Sequence, residues 1–437
     1  MRNGPLSPKV LLTIILLLVS PVGKRGYRLL LEWFWDQARG KIPLPAPEPV
    51  SPSALCQARR KLAPEAVRAL VQAAGMELLE SRPEEYRWRG LRTFAVDGSC
   101  LSTQRSRELW RVCGAPHGGN NPQVRVSTLY ALVGQLPVDV SVGPYNDVER
   151  RQLGEHLALL KAGDLIVLDR GYPSFGVFKD LLGRGLHFAM RVTTTSTFKA
   201  VEHFVQGDCD DAVIEITAPH GYTPTSPDGD RSPVRVRAVR LVDADGEIAV
   251  VLTTLPQEEF SREDIAELYH LRWGVEEHYK TTKAEYFGER QPHAKTFDGV
   301  KQELYAQALL MVITRSLIAH SEQTLADPES TRHVTHQTSM GPIRTPKTQV
   351  NVKGAVFAAS EHLVQLLLDD DAEALADLLA RLAARIHRSR TATRPGRSYR
   401  RVSYAPPRSQ WTSKGKRGRD KGRRRKKSRR RSAQQVS

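Results

Sequence analysis

The stretch YHLRWGVEEHYKTTK, residues 269–283, decides how the rest of the chain is read. Ser261, eight residues upstream, is a good helix N-cap, with Glu263 and Asp264 in the first turn behind it. The pattern predicts one long helix from Ser261 to about Lys283. Tyr269, Arg272, Glu276 and Lys283 are offset by 0, 3, 7 and 14 residues. At about 100° per residue they fall within one narrow stripe of that helix. A stripe of Tyr, Arg, Glu and Lys is a poor core face. It suits a surface that meets a phosphate backbone, with Arg as a forked donor, Lys as a point charge and Tyr as donor or stacking ring. A salt-bridged solvent face, Arg272 with Glu276 at i,i+4, accounts for the same spacing. Glu277 is an equally available carboxylate.

Upstream of this helix the chain reads as α/β from residue 91. Leu91–Leu101, Val124–Val133 and Val138–Val142 are predicted strands, the last two joined by a turn at Gly134–Pro137. Asp147–Leu160 is a helix, and Leu165–Leu168 a short apolar strand of the kind buried on both faces. Phe175–Leu182 is a helix and His187–Val192 a strand, giving the order β-β-β-α-β-α-β. Asp97 lies in the first strand and Asp169 at the end of the buried one. Acids at strand ends and on an adjacent helix can converge at one sheet edge, and carboxylates gathered there repel unless cations neutralise them. Two divalent ions about 3.5–4 Å apart can clamp the attacking and leaving oxygens of a phosphoryl transfer. Oxygen ligands favour Mg²⁺ or Mn²⁺ over zinc. Taken singly, an Asp after a strand is as often a turn former, and a helical Glu is usually a solvated surface residue.

Three segments carry a family resemblance. YHLRWGVEEHYKTTK resembles the Y-(2)-R-(3)-E-(6)-K pattern of DDE transposases of the insertion-sequence-four group. LDRGY (168–172) resembles that group's second-aspartate motif and AVDGS (95–99) its first-aspartate strand. Trp273 and Glu277 are common companions in the group, whereas Thr281-Thr282 stand where a bulky residue is common. The likeness covers roughly residues 53–320. It implies an RNase H-like catalytic core interrupted by an all-β insertion. Asp97, Asp169 and Glu276 would be the catalytic residues and the ligands of two Mg²⁺ (or Mn²⁺) ions. Tyr269, Arg272 and Lys283 would bind DNA near the cleaved phosphate. The implied activity is cleavage of the element's inverted-repeat ends, often through a DNA hairpin, and joining of the 3′-OH ends to target DNA. The implied partners are double-stranded DNA, at element ends and target, and a second copy in a synaptic homodimer. The implied setting is nucleoid-associated in a prokaryotic cytoplasm. The group's base-stacking aromatics lie partly in the insertion; Phe198, Phe204 and Tyr222 are candidates, with core packing as the competing role for the phenylalanines.

Outward from that core, residues 1–85 are expected to form a helical region and a candidate DNA-end binder. Val10–Val19 is far short of the ~20 apolar residues that span a bilayer and reads as a buried helix, not a signal peptide. Lys41–Pro52 reads as a proline-rich loop, and Ser53–Leu79 as two helices divided at Pro64, with Arg59, Arg60, Lys61 and Arg68 dotting the positions between the apolar ones. Residues 86–192 and 259–325 are the two parts of the core, and 193–258 the β-rich insertion. Residues 326–390 are a helical region that could serve dimerisation, loose and polar over 327–353. Residues 391–437 are a disordered basic tail.

Hydrophobic residues at 40% and charged residues at 26% are enough for a real core, so global disorder is excluded. The formal net charge is +17, and Lys414–Arg431 alone holds 13 basic residues and one acid. A polyanion is therefore the expected partner, nucleic acid before an anionic membrane. Cys56, Cys100, Cys113 and Cys209 have no CxxC spacing, which speaks against a zinc cluster or disulfide framework and suits a reducing cytosol. His156 and His278 show no ligand spacing. A DNA-binding protein of the same fold that has lost cleavage is the rival class. An RNA-binding protein is a weaker one, without an RNP-type aromatic motif to support it.

Overall fold

The computed structural model describes residues 6–40, 44, 46–194, 198–222, 230–242, 248–281, 291–325, 333–338, 341–346 and 348–392. A row of helices precedes the sheet: α1 (Pro8–Val19), α2 (Tyr27–Ala38), α3 (Pro52–Arg59), α4 (Pro64–Ser81) and the single turn α5 (Pro83–Tyr86). Pro64 opens α4, where a proline lacking its N–H costs nothing. The apolar run of α1 from Val10 to Val19 is buried inside the main core except at half-buried Leu12. Among the described residues no helix is long and apolar enough to cross a membrane.

The sheet then builds outward from β2 (Leu91–Ser102), beside which β1 (Arg87–Trp88) forms a short hairpin. Helix α6 (Arg107–Cys113) leads to β3 (Gln123–Ala131) and β4 (Leu136–Pro144), which are antiparallel partners, and α7 (Glu149–Leu157) crosses back. Next come β5 (Leu165–Leu168), α8 (Phe175–Gly183) and β6 (His187–Val192). Strand β5 is buried throughout, as a run of Leu-Ile-Val-Leu requires. It lies parallel between β2 and β6. The chain continues through α9 (Lys199–Gln206), β7 (Asp211–Ile216), β8 (Val234–Val242) and β9 (Ile248–Thr253). The sheet order is β4-β3-β2-β5-β6-β9-β8-β7.

Helices α10 (Arg262–Leu271) and α11 (Trp273–Thr281) lie on one face, where Ile265, Leu268, Tyr269, Val275 and Tyr279 pack with Ala95, Tyr130 and Val167. The opposite residues of the same strands, Phe94, Val96, Ile166 and Leu168, join the larger core with α1, α4, α8 and α12 (Phe297–Thr324). Helix α12 is buried over most of its 28 residues, which makes it the central pillar of that core. The helices Val352–Glu361, Leu363–Leu368 and Ala372–Arg388 complete the unit, which takes in residues 1–393.

Several expectations change. The 193–258 segment is not all β: KAVEHFVQ forms α9, burying Val201 and Phe204 at helical spacing. Its strands also do not stand apart, because β9 hydrogen-bonds antiparallel to β6 and extends the central sheet. The helix starting at Ser261 is divided at Arg272. There Arg272 N–H donates to the Tyr269 carbonyl at 3.3 Å and Val275 N–H to the Arg272 carbonyl at 3.1 Å, a locally tightened turn. Ser261 and Asp264 form a full capping box at its start. The 327–353 stretch contains an antiparallel hairpin, His333–Thr338 with Gly341–Pro346, to which Val334, Thr335, Ile343 and Thr345 bring β propensity. The basic tail lies outside the described residues, as does Lys283.

Arg59 and Arg68 are not a basic face for DNA. Arg59 is buried and bonds Glu303 at 2.9 Å, Gln302 at 3.1 Å and the Tyr27 hydroxyl at 2.9 Å. Arg68 forks onto Asp139 at 2.8 and 2.7 Å. Both cations are internal cross-links, while Arg60 and Lys61 remain exposed.

Candidate active site

Register brings the two aspartates together. Strands β2 and β5 are parallel with Val96 opposite Leu168, so Asp97 and Asp169, one residue further along each, lie side by side at the level where β5 ends and β2 continues. Clefts at the carboxyl ends of parallel strands are where α/β sheets place ligands. Asp97 Oδ1 accepts from the Gly98 N–H at 2.8 Å. Asp169 Oδ1 accepts from the Arg170 N–H at 2.7 Å, and the Tyr172 N–H closes the turn onto the Asp169 carbonyl at 3.1 Å. Asp169 is therefore a turn former as well as a candidate ligand.

The helix pair delivers the other groups to the same end. The Tyr269 hydroxyl lies 3.4 Å from Asp169 Oδ1. The Arg272 guanidinium stacks over the Tyr269 ring, 5.4 Å from its centroid, and its Nη2 donates to Glu276 Oε1 at 2.7 Å. The i,i+4 ion pair left open by the spacing thus forms, but it is not a solvated one: Arg272 is 6% exposed. Its Nε is a buried donor for which the described residues supply no acceptor. Lys283 and the Glu277 side chain fall outside the described residues, so the stripe is seen in its first three members.

The electrostatics mark one shared site. Burial raises the Asp97 carboxyl above its ordinary pKa, and Asp169 and Glu276 push the same way, while the Gly98 N–H and Arg272 oppose them. Burial disfavours the charge on Arg272, yet Tyr269, Glu276 and Asp169 together hold its pKa above the usual value. The Tyr269 hydroxyl is pushed up to about 12, chiefly by burial. Three carboxylates therefore act on one cation. Their donor set, all hard oxygen, is the kind that Mg²⁺ and Mn²⁺ take. Among the described residues no three His, Cys, Asp or Glu side chains stand close enough together to hold a metal ion, and the Glu276 carboxylate is held by Arg272.

Tyr279 belongs to the site, although the stripe was read without it. Its hydroxyl donates to the Asp97 carbonyl at 2.9 Å and lies 2.9 Å from Thr128 Oγ1. Ten residues after Tyr269, it falls at about −80° on the same helical wheel, so the periodicity could have revealed it. The insertion aromatics have these places in the fold. Phe198 and Phe204 are buried in the core, and Tyr222 packs its ring edge on Phe175 with centroids 4.9 Å apart. His156 is fully buried between Asp139 and Ser127, and burial pushes His278 down to about 3.

The sheet and the helix pair thus bring an aspartate within β2, an aspartate just past β5, a helical glutamate and a buried arginine toward one another. The chain belongs to the transposase DDE domain family, whose model matches residues 88–313 and so takes in the acids at 97, 169 and 276. It is 26% identical over 295 residues to the transposase InsG for insertion sequence element IS4 of Escherichia coli (strain K12), covering 63% of this chain and 63% of that protein. The chain thus spans less than two thirds of that relative's length. A similar solved structure is the piggyBac transposase in its synaptic complex with hairpin DNA, at 9% identity, covering 89% of this chain and 77% of that one with a TM-score of 0.41. The resemblance carried by AVDGS, LDRGY and YHLRWGVEEHYKTTK is therefore one of family membership.

Proposed function

We propose that this protein is a DNA transposase that binds the inverted-repeat ends of an insertion sequence, cleaves them and joins their 3′-OH ends to target DNA. The observation that carries the reading is the convergence of Asp97, Asp169 and Glu276 around Arg272 at one end of the sheet. The run β4-β3-β2-β5-β6 is then an RNase H-like core, and β7–β9 an insertion grown onto its edge.

In this reading Asp97, Asp169 and Glu276 would hold two Mg²⁺ or Mn²⁺ ions. Such ions, when bound, supply the positive charge that in-line phosphoryl transfer demands. The chain's own residues do the positioning. Tyr279 fixes the backbone of Asp97 from α11, and Tyr269 braces Asp169 from α10. Arg272 offers its free Nε–H to a phosphate oxygen while Tyr269 supports the guanidinium plane. Lys283 adds a point charge to the same strand of DNA. A second copy brings the other end of the element in a homodimeric synaptic complex.

Cleavage of labelled end DNA in Mg²⁺ tests this. Asp97→Ala, Asp169→Ala and Glu276→Ala should each abolish cleavage and leave end binding in EDTA largely intact, whereas Glu277→Ala should do much less. End binding without metal-dependent cleavage by the wild-type chain would establish the rival, a DNA-binding protein of this fold. Activity of Glu276→Ala with loss in Glu277→Ala would overturn the assigned register.

A further inference from the structure

Gly98 directly follows Asp97, and Gly171 comes two residues after Asp169. A Cβ built on Gly98 would stand 3.7 Å from Glu149 Oε1, and one on Gly171 would stand 3.9 Å from Glu149 Oε2. The Glu149 carboxylate therefore spans the two segments that carry the aspartates, in the space their glycines leave open. Glu149 opens α7 and is ion-paired by Arg125 of β3, which also donates to the Tyr145 carbonyl at 3.4 Å. Beside it the Tyr172 ring is 3% exposed and its hydroxyl has no hydrogen-bond partner among the described residues. That hydroxyl is acted on by Glu149, Asp97 and Asp169, which together with burial oppose its ionisation. Buried hydroxyls almost always find a partner, so an orphan one amid three carboxylates marks a place where a further oxygen, from water or substrate, belongs.

We infer that Glu149 is a positioning residue of the active site: fixed by Arg125, its carboxylate sets the spacing of the Asp97 and Asp169 segments and adds negative charge that favours divalent cations there. The inference rests on the proposed reading of Asp97 and Asp169 as cation ligands. An ordinary ion pair in the first turn of a surface helix would have no such effect.

The full chain without DNA is titrated with Mn²⁺ by calorimetry, and the Mg²⁺ concentration for half-maximal end cleavage is measured alongside. Glu149→Gln keeps the shape and removes the charge. It should weaken Mn²⁺ binding about tenfold and raise the Mg²⁺ midpoint similarly, since a charge near a partly buried site acts at reduced dielectric. The thermal midpoint should change little, which separates weakened cation binding from a loss of fold. Arg125→Gln, which keeps the Glu149 charge and removes the cation that neutralises it, should shift both readouts the opposite way, to tighter Mn²⁺ binding and a lower Mg²⁺ midpoint, and serves if Glu149→Gln folds poorly. Wild-type Mn²⁺ binding and Mg²⁺ midpoint in both variants would overturn the inference. Mn²⁺ binding that survives Asp97→Ala and Asp169→Ala would instead sink the cation reading itself.

Discussion

Single side chains in this protein show how similar geometry can have opposite meanings. His156 Nδ1 lies 2.7 Å from Asp139 and Nε2 3.0 Å from Ser127 Oγ, an arrangement that resembles a nucleophilic triad. All three are at most 1% exposed, and Arg68 forks onto the same aspartate, so no substrate reaches them. The group ties α4 and α7 to the sheet. Burial alone would raise Asp139, but Arg68 and His156 hold its pKa far below the ordinary carboxylate value. A depressed folded-state pKa stabilises above the unfolded value of about 3.9 and is lost as pH falls through the folded one. The stability it gives is therefore fully present at neutral pH and erodes below about pH 4. Asp139→Asn should lose about 3–5 kcal/mol at pH 7, as breaking a buried ion pair does, and show a flatter acid limb in urea unfolding below about pH 4. Arg272 sits in an equally enclosed place but keeps a donor free. Arg272→Ala should weaken the end complex and its cleavage by about 1.5–3 kcal/mol, the worth of a charged hydrogen bond. Lys at 272 should recover only part of this, because a point charge cannot replace a fork. Full activity of Arg272→Ala in quantitative gel shift and nicking assays would leave the Glu276 ion pair as its only role.

At the scale of elements, the helix pair α10–α11 is held to the sheet at the point where it matters for Asp97. Tyr279 makes that junction through the Asp97 carbonyl and Thr128. Tyr279→Phe should cost about 1–2 kcal/mol in thermal or urea unfolding, the value of a hydrogen bond lost in the interior. It should slow cleavage more than it weakens DNA binding, since the aspartate's backbone is what loosens; equal losses in both would place Tyr279 in the DNA interface instead. This element was largely legible beforehand, because cap, stripe and period are local properties of residues 261–283. The tightened turn at Arg272 was not, since its one local signal, Gly274, is a residue that a helix tolerates at a cost of about 1 kcal/mol; packing of Tyr269 and Val275 on the sheet coexists with it. Likewise the all-β expectation for 193–258 failed at α9, where eight residues are too few for periodicity to stand out. Strands β2 and β5 could be recognised as bearing aspartates, but their parallel register is a long-range fact that spacing cannot supply. Glu149 was invisible for the same reason, coming to the site only through the fold.

For the whole molecule, charge is divided sharply along the chain. Residues 394–437 hold 18 Lys and Arg against one Asp, so the whole formal net charge of +17 lies there and residues 1–393 are balanced. Under the proposed function the body would meet DNA through local features such as Arg272, and long-range attraction would fall to the charge of residues 394–437. Residues 1–393 form one compact unit containing every described member of the site. Deleting 394–437 should accordingly leave the thermal midpoint within about 2 °C, because every described core residue is kept. Affinity for unrelated duplex should drop. Each phosphate neutralised contributes about −0.9 to the slope of log K against log salt, and not all 18 cations need touch phosphate, so the slope should flatten by roughly 4–8 units. Cleavage of specific ends at low salt should survive, since Asp97, Asp169 and Glu276 remain. Binding isotherms on a non-specific duplex between 50 and 300 mM salt decide it: an unchanged slope after truncation would mean that the tail's charge is not spent on DNA, and that the balanced body alone sets the affinity.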